Sequence, residues 1–153
     1  MENVTQARKE ALSGLFEALE HTLVITQSYA DTFKTSDFFT LSISAERVER
    51  YKSDFSRFCV ELTEALNVAD GFVARAYELL IRADRELLFG EVELLQATLD
   101  AYEALSASIS DFFKLGRRSL FGDSPTITPL VEGAKRISLA INNLLKIEIN
   151  AEL

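Results

Sequence analysis

Glu17 and His21 stand four residues apart, so on a helix a carboxylate and an imidazole share one face and could chelate a divalent cation. A complete metal centre needs more ligands, and His21 is the only histidine in the chain. The Glu-x-x-His spacing that di-iron bundles use twice does not occur once. No metal and no cofactor is therefore expected, and His21 reads as part of a solvated helix face. Cys59 is likewise alone, which rules out an intrachain disulfide. It follows Phe58 on the apolar side of a long helical pattern, where burial raises a thiol's pKa and lowers its reactivity. Acidic residues pair at Glu61 and Glu64, Glu91 and Glu93, and Asp100 and Glu103. Nearly all lie off the apolar stripes, which makes them a wet face rather than general acids or bases. The phosphate-loop pattern G-x-x-x-x-G-K-S/T is absent, as are G-x-G-x-x-G, G-x-S-x-G and C-x-x-C. No catalytic residue is assigned, and enzymes are the disfavoured class.

Binding chemistry is more visible. SDFFTL at Ser36 to Leu41 recurs as SDFFKL at Ser110 to Leu115, a phrase shared by two copies of a duplicated helical hairpin or by chance in a chain with eleven Phe. Consecutive helical residues point about 100° apart, so one ring of each pair lies off the central stripe. Phe38, Phe39, Phe112 and Phe113 are accordingly candidates for contact with a partner. The competing reading has one ring covering the core and the other sealing the adjacent loop. Arg117 and Arg118 follow Gly116 and either hold a phosphate or an acidic partner, or satisfy the carbonyls at a helix end.

The elements that must position these residues are helices. A chain of 153 residues with 48% hydrophobic and 26% charged residues is long enough for one folded domain, 1–153, while two Pro and six Gly leave little turn punctuation for a many-stranded fold. The spacing predicts a first helix from about Asn3, whose separation from Gln6 suits a capping box, to Phe33, with Thr22 and Thr26 interrupting its apolar face. Lys34 to Ser44 reads as an extended connection, with Ser44 as the next N-cap. A strict seven-residue repeat then runs through Val48, Tyr51, Phe55, Phe58, Leu62, Ala65, Ala69, Phe72, Ala76, Leu79 and Ala83, and after Lys52 the next position of each repeat is apolar too, at Cys59, Leu66, Val73, Leu80 and Leu87. It predicts one long helix over about 45–88, either continuous or kinked near Asp70–Gly71. After an interruption at Phe89 and Gly90, two apolar rows over Val92 to Leu115 span about 160° of a helix that stops at a Gly116 C-cap, followed by the loop SLFGDSPTI. Thr128 as N-cap and Pro129 at the first helical position open the last helix. The fold class is all-α, an antiparallel bundle of four to five helices.

Twenty-four acidic against sixteen basic residues give a formal net charge of −8, which repels nucleic acid and anionic membrane surfaces. The polar N-terminal decapeptide lacks the apolar core of a secretion signal and the apolar runs are too short to span a bilayer, so a cytoplasmic location is expected. A non-enzymatic protein–protein interaction module fits best: an adaptor, an assembly subunit, or an acidic inhibitor or immunity-type protein that covers a basic partner surface. The broad apolar arc over Val92 to Leu115 adds self-association as a homodimer to that expectation. The alternative is a bundle holding an apolar small molecule against Phe58, Phe72 and Tyr102.

Overall fold

Apolar side chains recurring every three and four residues are buried only if each helix lays its stripe against another, and this chain does so with four. The computed structural model describes residues 4–34, 43–81, 89–122 and 124–152. They form α1 (Val4–Ala30), α2 (Ala45–Ile81), α3 (Phe89–Phe121) and α4 (Thr128–Glu152). No strand occurs among the described residues. Helix α1 packs on α2 and α4, and α3 packs on the same two, so chain neighbours are also neighbours in space. Antiparallel pairing follows from the contacts. Phe33, beyond the end of α1, stacks on Tyr51 near the start of α2, whereas Gly14 in α1 meets Phe72 far along α2. Phe55 and Phe72 of α2 thus mark opposite halves, and Gly116 of α3 lies level with Phe55 while Tyr102 lies level with Asp70.

Helix α2 begins as its sequence predicts. The Ser44 hydroxyl accepts from the Arg47 amide at 3.3 Å and the Ser44 carbonyl accepts from Val48 at 2.9 Å. The helix continues across Asp70 and Gly71 without interruption to Ile81, and 82–88 of the expected long helix lie outside the described residues. Its buried set lies within the predicted stripe: it follows the repeat from Val48 to Ala69, takes Val73 beside Phe72, and returns to the repeat at Ala76 and Leu79. Phe72 is half-buried because its ring turns aside to fill the space at Gly14 on α1. In α1, Thr22 and Thr26 do not break the apolar face. Both are fully buried and donate their hydroxyls backwards, to the Leu19 carbonyl at 2.6 Å and the Thr22 carbonyl at 2.8 Å. Asn3 of the expected capping box lies outside the described residues.

Three expectations are corrected. Phe89 and Gly90 belong to α3 rather than separating it from α2. Gly116 is not a C-cap: its φ is not positive and α3 runs on to Phe121, so Ser119, Leu120 and Phe121 are helical rather than loop. The glycine is there for space. A Cβ on Gly116 would lie 2.3 Å from the Phe55 ring and 2.9 Å from Leu130. The N-terminal turn of α4 is also one residue earlier than predicted, because the Ile127 carbonyl accepts from Leu130 at 2.9 Å and from Val131 at 3.0 Å. Ile127 is buried, which outweighs the capping preference of the Thr128 hydroxyl.

Candidate functional site

Gly116 has two counterparts. A Cβ on Gly14 would lie 2.2 Å from the Phe72 ring, and one on Gly133 would lie 2.4 Å from the Phe112 ring. Each mid-helix glycine removes a side chain where a ring from the next helix must fit, and so fixes α1 on α2, α3 on α2, and α4 on α3. Around Phe112 the rings close into one cluster. Tyr29 stacks on Phe58 with centroids 4.2 Å apart and meets Phe33 edge-on at 5.1 Å. Phe112 completes the cluster at 5.9 Å from Phe58 and 6.2 Å from Phe55. Pairs at such separations hold each other beyond their area burial. The Tyr29 hydroxyl has no hydrogen-bond partner among the described residues. Burial pushes its pKa upward, with Cys59 and Asp54 adding to the effect, so it stays neutral at any physiological pH.

Sequence-predicted contact residues separate on this framework. Phe112 is 4% exposed and belongs to the core, and Phe113 is half-buried with its ring 6.3 Å from Phe58. This is the arrangement in which one ring covers the core, not one with a freely exposed anchor. Phe38 and Phe39 lie outside the described residues. None of the large apolar side chains described between Val92 and Leu115 is exposed, so the broad apolar arc of α3 is spent on its neighbours. Phe58, Phe72 and Tyr102 do not surround a common space: Phe58 and Phe72 are four turns apart on α2, roughly 20 Å. Phe72 covers Gly14, and Tyr102 donates its hydroxyl to Asp70. A second bond of this kind, from Tyr77 to Glu103, fastens α2 to α3 beside it. Both tyrosines have raised pKa values, Tyr102 mainly from burial and Tyr77 mainly because Glu103 accepts its proton.

The surface offers grooves along the helix seams. Arg117 and Arg118 are consecutive, so they open onto opposite flanks of α3. Arg117 shares a cleft of about 440 Å³ with Phe55, Ser56, Cys59 and Phe121. The Lys52 ammonium lies 5.1 Å above the Phe121 ring there, and that ring is 56% exposed. Burial pushes the Cys59 thiol up to about 11 against the opposing pull of Arg117, which leaves it largely protonated and a weak nucleophile. Arg118 faces α4 instead, in a cleft of about 360 Å³ that includes Arg136. Between α1 and α2, a groove of about 320 Å³ has Gly14, Ala18, Ala65 and Phe72 as its apolar lining, with Glu17, His21 and Val68. No group of three metal-ligating side chains occurs among the described residues.

Charge is distributed unevenly along the bundle. Among the described side chains, the half containing the end of α1, the start of α2, the end of α3 and the start of α4 carries ten basic and seven acidic groups, and the other half carries four and nine. Helix α3 has no Lys or Arg before Lys114. The α1–α2 groove lies in the acidic half and the Arg117 and Arg118 clefts in the other. No helix among the described residues is long and apolar enough to cross a membrane. The chain matches no family model, no curated protein and no solved structure. Sequence reasoning missed Gly14, Gly133 and Arg136. The available signal was glycine inside strongly periodic helices, a choice that costs about 1 kcal/mol relative to Ala and so points to a neighbour that needs the room.

Proposed function

We propose that the protein is a non-enzymatic interaction module that receives a basic amphipathic helix of another protein in the α1–α2 groove. The observation that carries this reading is the coincidence of an apolar trough with acidic surroundings. Phe72 and Ala65 form its floor, Val68 stands at the rim with 58% of its surface exposed, and Glu17 lines it in the half where acidic groups outnumber basic ones nine to four. Apolar contact supplies affinity for a helix laid in such a groove, and the acidic rim selects a Lys/Arg-bearing polar face and speeds encounter. Core residues leave little for catalysis to use: the buried hydroxyls of Thr22, Thr26 and Thr98 are all committed to backbone carbonyls.

The test is site-specific photo-crosslinking in the source cell, with the crosslinker placed at Val68 and, for comparison, at exposed Leu139 on α4. The expected product joins Val68 to a Lys/Arg-rich helical segment of another protein, and it disappears in a Val68→Glu, Glu17→Lys variant that retains wild-type helicity. A crosslink at Val68 only to a second copy of this chain, or one that survives the double substitution, refutes the proposal.

A further inference from the structure

The α3–α4 cleft is chemically unlike the α1–α2 groove and is independent of it. Ser108, Asp111, Phe112, Leu115 and Arg118 of α3 face Gly133, Arg136, Ile137 and Ala140 of α4 around about 360 Å³. That volume lies in the range of small-molecule sites. Its floor is apolar: Phe112 and Ile137 are buried, and Phe112 reaches the cleft because Gly133 has no side chain to cover it. Its walls carry two exposed guanidinium groups, Arg118 and Arg136, and neither forms an ion pair among the described residues. In a chain with eight more acidic than basic residues, two arginines line one cleft with no carboxylate at ion-pair distance among the described residues. Asp111 lines the same cleft, yet it too is outside ion-pair distance of either.

We infer that this cleft binds a small organic anion, its phosphate or carboxylate taken by Arg118 and Arg136 and its apolar body laid over Phe112. The guanidinium fork matches the oxygen geometry of both anions, and each such contact is charge-assisted. Asp111 opposes a second negative charge and favours a ligand with a hydroxyl or amine on its far side. An uncharged aromatic compound would use only the floor, and inorganic phosphate only the walls. Both should bind more weakly than a molecule that uses the two together.

Titration of the full chain with phenyl phosphate, benzoate, inorganic phosphate and phenol, followed by amide NMR shifts, tests this inference. Phenyl phosphate or benzoate is expected to bind with Kd below about 1 mM and to shift residues of α3 and α4 around Phe112 and Gly133. Whichever of the two binds more tightly identifies the anion. Arg118→Gln and Arg136→Gln should each weaken that binding by about tenfold or more, the loss typical of a charged hydrogen-bonding partner. Asp111→Asn should strengthen it, and Arg50→Gln, a basic residue outside the cleft, should leave it unchanged. Equal binding of phenol, shifts confined to other seams, indifference to both arginine substitutions, or no saturation by any anion up to about 10 mM would each overturn the inference.

Discussion

Replacing Gly116 with Ala sets two effects of opposite sign against each other. Alanine favours the helix by about 1 kcal/mol, because glycine loses more backbone freedom on folding. The new methyl, however, would stand 2.3 Å from the Phe55 ring and 2.9 Å from Leu130, well inside van der Waals contact. Relief would require a ring to move, and Phe55 is 2% exposed and held between Tyr29 at 6.5 Å and Phe112 at 6.2 Å. Overpacking a closed core costs about 1–3 kcal/mol, and two obstructing neighbours place this site in the upper part of that range. The net expectation is a loss of about 1–2 kcal/mol, which for a chain of this size lowers Tm by about 3–6 °C. Gly71→Ala is the internal control, since nothing lies within 4 Å of its would-be Cβ and α2 is continuous there. It should gain up to about 1 kcal/mol. Gly14→Ala belongs between them, because its obstructing ring, Phe72, is only half-buried and can swing outward. Urea unfolding of the three variants, with m unchanged, gives the ordering directly. If Gly116→Ala is as stabilising as Gly71→Ala, the close approach of α3 to Phe55 is not present in the molecule and the reasoning fails.

Tyr29→Phe removes a buried hydroxyl that has no partner among the described residues, so it should leave stability unchanged or raise it by about 1 kcal/mol, whereas a clear loss in urea unfolding would show that the hydroxyl is bonded. Cys59 should react slowly with a disulfide reagent at pH 8: raising its pKa from 9.0 to about 11 lowers the thiolate fraction about a hundredfold. A more basic thiolate is the better nucleophile and recovers roughly eightfold, so a native-state rate about tenfold below that of the urea-unfolded chain is expected, and equal rates would contradict it. Tyr29, Tyr77 and Tyr102 all have folded-state pKa values raised above 10.0, so the unfolded chain releases protons first and stability should fall as pH rises beyond about 10. In Tyr102→Phe that alkaline decline should become shallower, as read from Tm between about pH 9 and 11.

The helical architecture was legible because the signal is periodic and repeated. Nine of the ten buried positions of α2 follow the seven-residue repeat, and the tenth, Val73, belongs to the apolar position that stands next to it in each repeat. Helix ends were less legible, since glycine has two uses. At Gly116 the pattern of glycine followed by two arginines has the composition of a C-cap, but the deciding quantity is the distance to Phe55, sixty-one residues away in sequence and invisible to any local rule. The paired rings Phe112 and Phe113 were correctly marked as inequivalent from the 100° step alone. Which one faces inward depends on Gly133 in the following helix. Arg118 was singled out for charge and position, but its companion Arg136 lies on α4, and their shared cleft exists only once α3 and α4 are in register.

Phe112 ties the interior to the surface in a way that limits how the α3–α4 cleft can change. One side of the ring contacts Phe55, Phe58 and Phe113 in the aromatic cluster, and its edge occupies the notch at Gly133 that opens the cleft. Any substitution that reshapes the floor therefore disturbs packing between three helices, and truncating such a ring costs about 3–5 kcal/mol. The rim has no such constraint: Arg118, Arg136 and Asp111 are exposed and contribute little to the core. Selectivity at this cleft can thus be altered through charge on the walls while the apolar floor stays fixed. The same division holds at the α1–α2 groove only in part, because Phe72 is half-buried and its ring is free to yield at Gly14. A rigid floor suits a small ligand of one shape, and a yielding one suits the varied side chains of a helix. The two grooves differ in that respect as well as in the sign of their surroundings.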